Sequence, residues 1–151
     1  MVNKGVYVLW LHLPHTAAVT VGKLGTYVFP PGVYAYAGSA QRNLRQRIAR
    51  HWRLDKKLHW HIDYLRVEAE LLGAVLLFNE EKEGECRFVQ KLLHLPEACL
   101  PVPGFGASDC GCGGHLVYLP SLPPDLVSLG DAIHDIELGP AESLAFFYAG
   151  D

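Results

Sequence analysis

Residues 5–13, GVYVLWLHL, form an unbroken run of β-branched, aromatic and aliphatic side chains with no polar stripe. A strand with one wet face alternates apolar and polar residues, whereas a run without alternation suits a strand buried on both faces. The rest of the chain must then cover it twice, which calls for a sheet with this strand inside and other elements packed on each side. The run is far shorter than the roughly 20 residues that cross a bilayer, and His12 interrupts it. No charged-then-apolar leader precedes it, so the expectation is a soluble, cytoplasmic protein without a membrane partner.

The remaining periodicities supply the cover. Residues 17–22 and 25–29 read as a hairpin, and Pro30, Pro31 and Gly32 break the chain after it. Val33 to Ala37 alternates, with Tyr34 and Tyr36 on one side, and Gly38 and Ser39 end that strand. From Gln41 to Trp52 the period becomes helical through Leu44, Ile48 and His51 or Trp52, with Ser39 as a candidate cap. Further helices are expected at His59–Arg66 and Glu80–Leu95, and further strands at Leu71–Phe78, 115–119 and 143–148. The 151 residues suit one hydrophobic core. Together these predict an α/β (α+β) fold: one domain over 1–151 with a small, mainly antiparallel sheet flanked by helices. Its core covers about residues 5–119, with a C-terminal extension over 120–151.

The formal net charge is −3, yet seven of the thirteen basic residues lie between Arg42 and Lys57, opposed there only by Asp55. A basic stripe on an otherwise acidic body attracts a polyanion at one face and repels it elsewhere. Arg42, Arg45, Arg50, His51, Arg53, Lys56 and Lys57 are therefore candidate nucleic-acid contacts, against the alternative of a solvated helix face. Antiparallel pairing of the first strand with the one ending at Gly38 makes Tyr7 and Tyr36 neighbours, and the basic helix starts beside them. Phenols and a guanidinium around one point suit a phosphodiester. A phenol or phenolate can take a proton from water, and arginine can stabilise the charge added on a pentacovalent phosphorus.

Gly5-Val6-Tyr7 and Tyr36-Ala37-Gly38 resemble the two halves of the GIY-YIG nuclease signature, with Leu44-x-x-Arg47 similar to its helix motif and Glu85-Cys86-Arg87-Phe88-Val89 to its glutamate helix. GVYAYAGSA, HWHIDYL and GFGASDCGCGGHL resemble the Uri-type branch, whose members occur alone and fused to DNA-repair glycosylases. The resemblance implies a metal-dependent endonuclease acting on DNA, with RNA also open, and a DNA-repair protein as a possible partner. It assigns Mg2+ or Mn2+ to Glu85, phosphate stabilisation to Arg47 and activation of water to Tyr7 or Tyr36. Phe88 and Val89 would also turn the Glu85 side of its helix inward, and Arg45 is the fallback for Arg47. Tyr7 and Tyr36 stand 29 positions apart, so a hairpin over about residues 15–29 is inserted between the two halves.

Two other stretches hold metal-ligand chemistry. His59-x-His61-x-Asp63 begins like a metallohydrolase ligand set but continues with Tyr64, favouring a structural or phosphate-contacting role for His61 and Asp63. Cys110-x-Cys112-x-x-His115 offers thiolates and an imidazole to zinc, with Cys86 or Cys99 as a fourth ligand, or else is a tight glycine-rich loop with buried thiols. Two rivals to the nuclease follow: a catalytically weak nucleic-acid-binding module, and a zinc-stabilised interaction protein.

Overall fold

The doubly apolar run is β1 (Gly5–Leu13), the middle strand of a five-stranded sheet in a computed structural model. The structure describes residues 3–79, 81–107, 113–120 and 144–148. β1 pairs antiparallel with β4 (Gly32–Ala40) on one side and with β5 (Glu70–Phe78) on the other, with a register shift between Trp10 and Leu11. β6 (Leu116–Leu119) extends the sheet beyond β4, and β7 (Leu144–Tyr148) extends it beyond β5, all antiparallel. The fold is thus α+β, with a mainly antiparallel sheet flanked by helices.

Both faces of β1 are covered, as its composition requires. Val6, Val8 and Trp10 point to a core closed by Phe88, Val89 and Leu92 of α3 (Gly84–Leu92). Tyr7, Leu9, Leu11 and Leu13 point the other way. They meet Leu44 and Ile48 of α1 (Leu44–Trp52) and Ile62 and Leu65 of α2 (His61–Glu68). The inserted hairpin forms a separate two-stranded sheet, β2 (Ala17–Val21) with β3 (Gly25–Phe29), which adds Val19, Val21 and Phe29 to that second core.

Element ends differ from the sequence expectations for identifiable reasons. β4 runs on through Gly38 and Ser39 to Ala40, because β1 continues to pair with it as far as Gly5. α1 begins only at Leu44, after Asn43 in the left-handed conformation, and Ser39 does not cap it. Asn3 caps it from 42 residues away: its Oδ1 accepts the Arg45 N–H at 2.9 Å and its backbone carbonyl accepts the Leu44 N–H at 3.1 Å. At the other end Lys56 Nζ and Arg66 satisfy carbonyls of Arg50, His51 and Trp52, the position where cations complement a helix dipole. α3 is shorter than the expected Glu80–Leu95; Glu81 and Glu83 precede it in exposed turn, and Glu80 lies outside the described residues. Among the described residues no helix is long and apolar enough to cross a membrane.

Asn3→Ala should therefore lower unfolding stability by about 1 kcal/mol, as loss of a cap does. Denaturant titration reads this directly, and an unchanged midpoint would show that the remote cap contributes nothing.

Candidate active site

Tyr7 of β1, Tyr36 of β4, Arg47 of α1 and Glu85 of α3 line a single cavity of about 360 Å3. The cavity forms where the sheet edge is open. β6 pairs with β4 only from Val33 to Tyr36, so Gly38, Ser39 and Ala40 are left as cavity wall. Glu85, in the first turn of α3, joins them although α3 packs on the opposite core from Tyr7.

The register corrects the simple pairing of the two phenols. Tyr7 faces Gly38 across the ladder, while Tyr36 faces Leu9, so the tyrosines are diagonal neighbours. The missing side chain at Gly38 makes room: a Cβ there would sit 2.5 Å from the Tyr7 ring. Gly106 does the same for Tyr36, since its Cβ would lie 2.8 Å from that ring.

Tyr7 Oη lies 2.8 Å from His51 Nε2 in a buried hydrogen bond. Burial pushes both phenols far above their ordinary value; for Tyr7 the attraction and hydrogen bond of Arg47 pull it back only in part. Burial, followed by the charge of Lys56, lowers the His51 imidazole to about 3. Both partners are therefore neutral at neutral pH, and the imidazole can accept the phenol proton. The sequence placed His51 among the nucleic-acid contacts. It is instead 2% exposed, bonded to Tyr7 and packed beside the rings of Tyr36 and Trp60, behind the cavity wall.

Arg47 is positioned twice, by donating to the Ser39 carbonyl at 3.2 Å and by stacking 4.6 Å from the centre of the Trp60 ring. Arg50, one turn on, stacks on the same ring at 4.3 Å. Trp60 is held by Asp63, which is fully buried. The carboxylate receives both Arg50 nitrogens at 3.1 Å and the backbone N–H groups of His59 and Trp60 at 2.8 and 2.9 Å. Burial alone would raise the Asp63 carboxyl, but these hydrogen bonds outweigh it and hold the group below its usual value. No local pattern singled out Trp60. The available signal was two arginines, at 47 and 50, three apart on one helical face.

The other expected contacts divide. Arg42, Arg53 and Lys57 are exposed, whereas Arg50 and Lys56 are engaged by Asp63 and by backbone carbonyls. Arg45, the fallback for Arg47, stacks over Phe78 at 4.5 Å and does not line the cavity. His61 Nδ1 accepts the Gly106 N–H at 2.8 Å. With Asp63 buried and His59 exposed, the His59-x-His61-x-Asp63 stretch does not converge on a cation, and no group of three potential ligands occurs among the described residues. His115 is buried, with its Nε2 3.7 Å from Cys86 Sγ, while Cys110 and Cys112 lie outside the described residues. Glu85 is 9% exposed, and its charge acts on both phenols. A carboxylate at the wall of a cavity with room for water fits a hard divalent ion such as Mg2+ or Mn2+, which keeps much of its hydration.

A family model described as Domain of unknown function DUF123 matches residues 6–138. Comparison with curated proteins and with solved structures returned no match.

Two outcomes test the buried network. Asp63→Asn should cost roughly 3 kcal/mol of stability by leaving Arg50 without its counter-charge; a loss within error of zero in urea titration would contradict the clamp. For His51 the unfolded chain binds a proton that the folded protein refuses, so stability is complete above about pH 6.5 and falls as pH drops toward 3. His51→Gln should flatten this decline between about pH 6.5 and 4.5, and an unchanged slope would contradict a buried neutral imidazole.

Proposed function

The chain belongs to the DUF123 family, and we propose that it is a metal-dependent endonuclease hydrolysing phosphodiester bonds in DNA. The observation that carries this reading is the meeting of Tyr7, Tyr36, Arg47 and Glu85, from four separate elements, in one cavity. The same four residues bear the GIY-YIG resemblance, so geometry and sequence pattern support one assignment.

The chemistry follows from the protonation states. Burial favours the protonated phenol at Tyr7, so Tyr7 is assigned the part of a relay. As water attacks phosphorus, its proton passes to Tyr7 Oη while the Tyr7 proton moves to His51 Nε2 along the 2.8 Å hydrogen bond; the bond from phosphorus to the leaving oxygen breaks, and that oxygen takes its proton from solvent. The negative charge accumulating on phosphorus favours the imidazolium that results. Arg47, fixed by Ser39 and Trp60, faces that charge without reorganising. Tyr36 lines the same cavity and orients the attacked group; among the described residues, Tyr7 is the phenol bonded to an imidazole. Glu85 would hold Mg2+ or Mn2+, which when bound supplies charge stabilisation for the leaving oxygen. Exposed Arg42, Arg53 and Lys57 supply the salt-sensitive attraction to the DNA backbone.

Cleavage of plasmid and branched DNA with and without Mg2+ tests the proposal. Arg47→Ala and Glu85→Gln should each lower cleavage by at least roughly 100-fold while the fold survives. Tyr7→Phe and His51→Ala should each lower kcat by roughly 100-fold or more, and the double variant should be little worse than either, since the two act as one unit. Salt-sensitive binding without cutting would instead establish a nucleic-acid-binding module.

A further inference from the structure

A second cavity, of about 270 Å3, adjoins the reaction centre and shares Tyr36, Trp60 and Gly106 with it. Its other walls are His59 and His61. We infer that it takes one unpaired nucleobase of the DNA strand whose phosphate lies against Arg47. The enzyme would then cut next to an extruded or single-stranded nucleotide in preference to a fully paired duplex. This rests on the phosphodiesterase reading above and adds to it the class of substrate.

Three features point to a heterocycle. The walls are rings: Trp60 and His59 have centroids 5.3 Å apart, and Tyr36 and His61 are backed by Phe105 at 6.1 and 5.6 Å. Aromatic walls of this kind bind bases by stacking whatever their identity, because every base presents a π face. At about 270 Å3 the cavity falls just below the roughly 300–1,000 Å3 of pockets for drug-sized ligands, a size that suits one ring system. A polar group is also set in place. His61 Nδ1 accepts the Gly106 N–H at 2.8 Å, so the hydrogen of the neutral ring is on Nε2, a donor suited to the acceptor atoms of a base edge.

The two cavities are mechanically joined. Trp60 is at once a wall of the base site and the plate on which Arg47 stacks. The N–H groups of His59 and Trp60 are anchored on the Asp63 carboxylate, so the base site is built before a ligand arrives. A base inside a duplex cannot reach such a site without leaving the stack, and the cost of leaving is least where the base is already unpaired.

The test uses the intact protein with Mg2+ and oligonucleotides that present one cleavable site, either fully paired or with a single unpaired nucleotide. A second series replaces each nucleotide flanking the cut, in turn, by an abasic sugar. The unpaired substrate should be cut at least about 10-fold faster than the duplex, and one abasic replacement should lower kcat/KM by roughly 5- to 100-fold, the range of base–aromatic stacking. In His59→Ala/His61→Ala the intact and abasic strands should become equivalent, which a general loss of folding would not produce. Cutting with no abasic penalty at either flank, or a penalty undiminished in the double variant, overturns the base site while leaving the nuclease standing. No cutting of any strand overturns the nuclease reading and the base site together.

Discussion

The buried carboxylate of Asp63 is the interaction on which the geometry of the cavity depends. It joins Arg50 of α1 to the backbone at the start of α2, and it has no other solvent to turn to. Burying such a pair costs much of the attraction it gains, so its contribution lies in fixing one arrangement more than in net stability. The arrangement it fixes is the indole of Trp60 beneath Arg47 and Arg50. A guanidinium held on an aromatic plate and on a backbone carbonyl has its orientation fixed in advance, which is the preorganisation that the proposed contact with phosphate would use.

The sheet supplies the second half of the site. β1 is held by cores on both faces, so Tyr7 cannot shift without disturbing packing against two sets of elements. Gly38 opposite Tyr7 and Gly106 beside Tyr36 clear the space that the two rings occupy. The phenol thereby reaches His51 in a setting dry enough to keep both groups neutral. Burial that would be a cost elsewhere thus sets the protonation states that the proposed relay needs.

Much of the fold was legible in the sequence because its signals are local. The unbroken apolar run of β1 required two covered faces and has them, and the inserted hairpin over 17–29 forms the small second sheet. What local pattern does not encode is register and distant pairing. Chain order made Tyr7 and Tyr36 neighbours, but only the ladder shows that Gly38 stands opposite Tyr7 and that the two phenols are diagonal. Ser39 had the composition of a cap, yet Asn3, just ahead of β1, performs that role. Arg50, Lys56 and His51 read as a basic surface because their partners, Asp63 and Tyr7, are 13, 7 and 44 positions away. A stripe of charge in the sequence therefore overstates the basic surface, and the exposed Arg42, Arg53 and Lys57 are the part that remains.

The proposed nuclease reading requires the cavity that gathers Glu85 and Arg47 to hold a divalent ion at the carboxylate. Crystals soaked in Mn2+ and measured for anomalous scattering test it most directly. The expected result is a single strong peak beside the Glu85 carboxylate, within the cavity bounded by Tyr7, Tyr36 and Arg47. A peak at His61 or in the cysteine loop with none at Glu85 would contradict it.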